Sequence, residues 1–295
     1  MKSKTTLSAS IPAPVKTMSV KLFGVGNAGI TLLEAIHGGQ DFAEAGFAAV
    51  NTDAPSLESS SAPLKIHLET KLLRGMGTGG DPERGRARAE EQFAVLKAAC
   101  EGAQVVLIVA GLGGGAGTGI SPVLARAAKE AGALTLAFVT MPFTCEGNRR
   151  QQQAQQGFDD LKTVADGVIC LPSQRVFKLI DENTSVLDTF RITGDLLVQS
   201  IRGVWRLLTR PGLIQIHFDD VCALLRDRHS ESVFACIETT GPTRSREIIE
   251  KLLAHPLLDE GRALAESDAV LVSLMGGPDL TMADVNRVME QISRK

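Results

Sequence analysis

No Cys-x-x-Cys pair occurs in the 295 residues, and the five cysteines, Cys100, Cys145, Cys170, Cys222 and Cys236, lie far apart and mostly within apolar runs. Such spacing offers neither a zinc clamp nor a dithiol couple, so no metal site is expected and the thiols read as reduced, in a cytoplasmic setting. Also missing is an apolar stretch of the ~20 residues that a bilayer demands, and the head Met1 to Thr17 lacks the apolar centre of a signal peptide. Direct membrane binding is not expected. Charge of one sign is not in excess either. Lys and Arg total 31 against 34 acidic residues, a net charge of -3, which gives no basic field to favour nucleic acid. Apart from the Ser/Thr/Pro-rich head, expected to be disordered over residues 1–17, there is no low-complexity tract and no internal repeat. What is present is 44% hydrophobic content, enough for a sizeable core in one larger and one smaller domain.

Short β-rich apolar runs alternate with helical patterns through the first two thirds. Ser19 to Val25, Phe47 to Asn51, Val105 to Ala110, Leu134 to Thr140 and Gly167 to Leu171 read as strands, apolar enough to be buried on both faces of a parallel sheet. Asp81 to Cys100 and Pro122 to Ala131 are long enough, and rich enough in Ala, Glu, Lys and Arg, to be crossover helices. The predicted class is α/β, doubly wound. From Thr184 to Thr209, Leu187, Phe190, Leu197, Ile201, Val204, Trp205 and Leu208 recur at a helical period that stops at Pro211-Gly212, which predicts a long helix. Beyond it, Val233 to Thr239 and Ala269 to Met275 look like strands, and Ser245 to Ala254 and Met282 to Arg294 like helices, of a small α+β unit.

Two glycine loops carry the chemistry. Gly24-Val25-Gly26-Asn27-Ala28-Gly29 follows a strand and opens a helix, matching the G-x-G-x-x-G pattern in which backbone amides approach a phosphate. Asp53 follows the second strand where a dinucleotide-binding protein holds a ribose hydroxyl. That loop alone fits a nucleotide site, an NAD-binding oxidoreductase or a plain tight turn. The second loop, Gly111-Leu112-Gly113-Gly114-Gly115-Ala116-Gly117-Thr118-Gly119, has six glycines in nine residues. Their entropic cost needs a backbone that embraces something, and a phosphate at the carboxyl end of a buried strand is the obvious candidate.

The second loop resembles the tubulin signature G-G-G-T-G-T-G, with Ala116 in place of the first threonine. Ala49-Val50-Asn51-Thr52-Asp53, Gly75 to Glu83 and Met141 to Arg150 are similar to successive nucleotide loops of FtsZ, in the same order. The chain is thus identified as a divergent member of the FtsZ/tubulin superfamily. The resemblance implies GTP or GDP as ligand, with Mg2+ as an optional companion. Gly26, Asn27, Ala28, Gly114, Gly115, Ala116, Gly117 and Thr118, flanked by Gly113 and Gly119, would line the phosphates. Gly77, Thr78, Gly79 and Gly80 would cover the terminal phosphate, Glu146 would hold the ribose beside Pro142, and Arg150 would lie near the phosphates. Phe190 would pack on the base, although core packing explains a Phe there equally well. The family's chemistry needs two molecules, since a segment after the long helix of one subunit reaches its neighbour's nucleotide. The matching stretch is Pro211 to Asp220, in which Asp220 would orient the attacking water; a helix-start carboxylate is the plainer alternative.

Several positions depart from the family pattern. His217 replaces an aspartate and Gln215 an asparagine beside Asp220, so hydrolysis is expected to be weak. Thr31, Gly194 and Ser173 stand where side chains that read guanine are usual. The predicted organisation is a GTP-binding domain over 18–183, a central helix over 184–210 and a partial C-terminal domain over 211–295. Expected partners are the chain itself, head to tail, and a conventional FtsZ. A paralogue that caps or co-assembles with filaments and turns over little GTP is the alternative.

Overall fold

A computed structural model of the chain describes residues 18–42, 44–68, 77–210, 218–225, 230–258 and 261–294. The N-terminal part alternates strand and helix: β1 Val20–Val25, α1 Gly26–His37, β2 Gly46–Asn51, α2 Ala54–Ser59, β3 Leu64–His67, α3 Pro82–Glu91, α4 Phe93–Cys100, β4 Val105–Gly111, α5 Gly115–Glu130, β5 Leu134–Met141, α6 Asn148–Val164 and β6 Gly167–Pro172. The long helix α7, Val186–Thr209, comes next. After it lie α8 Phe218–Leu225, β7 Ser230–Ser232, α9 Arg244–Leu253, α10 Arg262–Ala265 and α11 Met282–Ser293.

The strands form one parallel sheet in the order β3-β2-β1-β4-β5-β6-β7. Two separate cores explain why its strands are apolar throughout. On one face Phe23, Val25, Ile108, Val139 and Val168 pack under α3 to α6; on the other Leu22, Leu107, Phe138 and Leu171 pack under α1 and α7. Side chains alternate between the faces at a period of two, so a strand covered on both sides has no polar position to spare. The predicted doubly wound α/β class is the architecture found.

Three sequence expectations are corrected. The stretch Asp81 to Cys100 is two helices, broken at Gln92, whose φ of -112° and ψ of 25° leave the helical region. Helix α5 does not wait for Ser121-Pro122: it starts at Gly115, inside the glycine loop, with Pro122 buried within it. Finally, 233–240 and 269–277 run without ladder bonds, and Val233, Val270, Leu271 and Met275 stay 40 to 52% exposed. Two short strands bury too little apolar surface to hold a sheet of their own. Segment 233–238 instead lies along α7, where Gly203 leaves room for the Phe234 ring, Ser200 Oγ donates to Phe234 O at 3.5 Å and Arg206 pairs with Glu238.

The early start of α5 is a packing solution. A Cβ on Gly119 would lie 2.0 Å from Pro82 O, and one on Gly85 would lie 2.4 Å from Gly115 O, so α3 and α5 touch backbone to backbone. Gly119→Ala must push the helices apart and is expected to cost about 1–3 kcal/mol, read as a lower urea midpoint at unchanged slope. Gly114→Ala, with nothing within 4 Å of the added carbon, should stay within about 0.5 kcal/mol; equal effects would contradict the packing account.

Candidate functional site

Strands β1 and β4 are neighbours in the sheet, so the helices that follow them start side by side at its carboxyl edge. The approach is close. Gly26 has φ 70°, and a Cβ there would meet Gly117 N at 2.9 Å; a Cβ on Gly111 would meet the Ala28 methyl at 2.7 Å. The N-termini of α1 and α5 therefore face one cleft, and their free amides and dipoles favour an anion there. Asn27 and Ala28 are exposed to it, and Gly114 and Ala116 are half-buried. Gly113, Gly115, Gly117, Thr118 and Gly119 are buried, and several of them serve the packing around the cleft. Gly117 sits against Gly111 O and Gly115 against the Thr78 side chain, while Thr118 Oγ1 accepts from Gly113 N at 2.8 Å.

The turn Gly77 to Gly80 closes one side. Thr78 is buried under Gly115, and Gly79 and Gly80 are exposed with φ of 61° and 79°, which L side chains rarely adopt. Asp53 caps α2, its carboxylate accepting from Ser56 N at 3.1 Å. The sequence pattern did not single out Asn51, at the end of β2 and only 1% exposed. Its Nδ2 donates to Asn27 Oδ1 at 2.6 Å and its Oδ1 accepts from Thr52 N at 2.8 Å, so it ties the first loop to the second strand. A polar residue ending an otherwise apolar strand was the available signal.

The opposite side is built from the loop after β5. Glu146 accepts from Phe143 N at 2.8 Å through one oxygen and pairs with Arg150 through the other. Pro142 is buried, its Cγ 3.3 Å from where a Gly113 Cβ would lie. Beside it the buried Phe143 meets Phe177 and Phe190 edge to face, at 5.6 and 5.3 Å between ring centres, and those two rings stay half exposed. Phe190 is therefore a cleft-edge residue, not part of the buried apolar stripe of α7, which begins at Leu196 and Leu197. Leu187, also read into that stripe, is 80% exposed. Ser173 Oγ donates to Met141 O and Thr31 Oγ1 to Asn27 O. Gly194 lies against Leu32, 3.0 Å from its added Cβ.

Asp220 is elsewhere. Helix α7 begins at the cleft, where Phe190 touches Phe143, and ends beside the turn before β2, where Arg206 and Arg210 both lie 3.4 Å from Asp41. Its 24 residues span about 36 Å at 1.5 Å per residue. Asp220 follows, exposed in the first turn of α8, whose Leu225 packs on Gly167 at the amino end of β6. The candidate carboxylate and the glycine loops thus occupy opposite edges of the sheet. Gln215 and His217 lie outside the described residues.

The buried Asn51 bridge generates a prediction. Asn51→Ala strands the partners of Asn51, among them the Thr52 N–H, and should lower stability by about 1–3 kcal/mol in urea unfolding. Asn27→Ala, at an exposed position, should cost less than half as much; equal costs would contradict a buried anchoring role.

Comparisons with known proteins identify the family. Residues 19–181 match the model of the Tubulin/FtsZ family GTPase domain, and residues 232–295 the FtsZ family C-terminal domain. The cell division protein FtsZ of Rickettsia bellii (strain RML369-C) is 37% identical over 280 residues, 94% of this chain and 60% of that protein. The chain accordingly spans about three fifths of the length of the curated relatives it matches. Among solved structures, an empty FtsZ dimer from M. jannaschii has a TM-score of 0.81 at 31% identity, covering 95% of this chain and 80% of that one. A GTPgS-bound protofilament of CetZ2 from Haloferax volcanii has a TM-score of 0.58 at 26% identity, covering 64% of this chain and 58% of that one. With the GTPase-domain model matching more than half of its length, the chain belongs to the Tubulin/FtsZ family.

Proposed function

We propose that this chain is an FtsZ-like GTP-binding protein that assembles head to tail into filaments and hydrolyses GTP at the contact between subunits, in cell division. The observation that carries the reading is the length of α7. A carboxylate that follows the far end of this 24-residue helix, in a helix packed at the amino end of β6, cannot act on a nucleotide held by its own subunit's glycine loops, whereas a neighbour stacked end to end can offer it one. The relatives point the same way, one being a cell division protein and another a nucleotide-bound protofilament.

In this reading residues 18–183 form the GTP-binding domain, 184–210 the central helix and 211–295 the C-terminal domain. The α1 and α5 amides hold the phosphates without large side-chain charge. Gly79 and Gly80 cover the terminal phosphate, and Arg150, delocalised and always charged, exchanges its Glu146 pairing for a phosphate oxygen as Glu146 turns to the ribose. Mg2+ would enter with the nucleotide and would be held largely by phosphate oxygens and water. Asp220 of the next subunit positions the water, which suffices because phosphoryl transfer depends on positioning and charge stabilisation more than on a tuned base. The setting is cytoplasmic; no helix among the described residues is long and apolar enough to cross a membrane.

A second reading, a nucleotide-binding paralogue that caps or co-assembles with a conventional FtsZ filament, is favoured by one observation. The segment before Asp220 carries Gln215 and His217 where the family has an amide and a carboxylate of different shape and charge. Phosphate release measured against protein concentration separates the two. Turnover per molecule should rise with concentration and saturate, and Asp220→Ala should retain GTP binding while losing about 10²-fold or more in turnover, the scale of a side chain positioned at the attacking group. A rate per molecule independent of concentration would contradict the shared site. Binding without turnover, together with shortening of conventional filaments, would favour the cap.

A further inference from the structure

The slot in which a base would lie is framed by α1 on one side and by α7 with the Phe143, Phe177 and Phe190 rings on the other. From Gly26, where phosphates would sit, α1 runs outward past Thr31 to Leu32, and Leu32 meets α7 at Gly194. Phe190 and Gly194 are four residues apart and so share one face of α7. A ring stacked beside Phe190 would turn its hydrogen-bonding edge toward that stripe.

The polar side chains near the slot are committed inward. Thr31 Oγ1 donates to Asn27 O at 3.0 Å, Thr189 Oγ1 to Ser185 O at 2.9 Å, Thr193 Oγ1 to Thr189 O at 2.7 Å and Ser173 Oγ to Met141 O. Gln174 Oε1 accepts from Thr144 N and Oγ1, at 3.3 and 2.8 Å. Asp195 is exposed and turned about 100° from the Phe190–Gly194 stripe. At the stripe itself Gly194 brings no side chain.

This arrangement decides what can be told apart. Guanine offers N1–H and N2–H2 donors side by side, which a carboxylate accepts as a pair; adenine offers N6–H2 next to the N1 acceptor, which a carboxylate repels. A hydroxyl whose proton is given to the backbone can only accept, and it accepts from N1–H or N6–H2 alike. Aromatic stacking is tolerant of base identity because every base has a π face. Sites with buried groups dedicated to one hydrogen-bonding edge reject the other by about 10⁴-fold; this slot has no such group among its described residues.

We infer that the site takes purine nucleoside triphosphates with little preference between guanine and adenine, because ring stacking holds the base and the position facing its edge is Gly194. This rests on the nucleotide-binding reading above and widens its substrate class from GTP to both purine nucleotides. Direct titration of the full chain with GTP and with ATP tests it. Dissociation constants within tenfold of each other are expected. GTP binding tighter by more than tenfold would overturn the inference and leave nucleotide binding standing, whereas no binding of either at millimolar concentration would overturn both. Gly194→Asp supplies the missing acceptor. The added Cβ meets only the Leu32 Cδ2 methyl, the far end of a flexible side chain, and Asp is no worse than Gly within a helix. In this variant, if its unfolding transition is retained, the GTP-over-ATP ratio should rise at least tenfold; an unchanged ratio would overturn the role given to Gly194.

Discussion

The contact between Gly26 and Gly117 is the constraint on which the site depends. Two parallel strands side by side each deliver a helix start to the same edge, but the two starts share one cleft only if their backbones nearly touch. No side chain fits at either position. The close approach extends sideways through Gly117 against Gly111 O, Gly85 against Gly115 O and Gly119 against Pro82 O, so that α1, α5 and α3 are placed by backbone contact instead of by rotamers. Rigid backbone placement suits a ligand recognised by its charge and held by amides, since nothing needs reorganising when it arrives.

The second constraint is directional. Helix α7 buries Leu197, Ile201, Val204 and Trp205 against the sheet and carries the chain from the cleft edge to the far edge, where Asp41 gathers Arg202, Arg206 and Arg210. Burial of that stripe fixes the helix along the sheet, and its length fixes how far apart the two chemical ends of the molecule must be. Under the proposed function this separation is what couples assembly to hydrolysis, because neither end is complete alone.

The parallel sheet was legible in the sequence because strands covered on both faces carry uninterrupted apolar runs, as Val105 to Ala110 and Leu134 to Thr140 do. The shorter β3 and β7 were not, since Leu64–His67 and Ser230–Ser232 sit at the sheet's flanks and carry polar residues. The glycine loop was legible as a place where backbone approaches something, yet the pattern could not say that part of what it approaches is the protein itself. A glycine needed for a phosphate and one needed for Pro82 O look identical in sequence. Asn51 was hidden for a related reason: its role lies in a contact with Asn27 across two loops, not in spacing along one. The unladdered segments 233–240 and 269–277 show the reverse error, where an apolar run satisfied local strand propensity without a partner surface to bury it.

Complementation between two disabled subunits tests the central claim most directly. Asp220→Ala keeps the glycine loops and loses the carboxylate at the far edge. Gly114→Asp keeps Asp220 and sets a negative charge at the open N-cap of α5, a position where Asp is structurally welcome but repels phosphate. Each variant alone should release little phosphate from GTP. Mixed in equal amounts they should recover a substantial share of parental turnover, because the nucleotide of one subunit meets the carboxylate of the other. A mixture no more active than its components, with both variants folded and Asp220→Ala still binding GTP, would contradict a site built from two molecules.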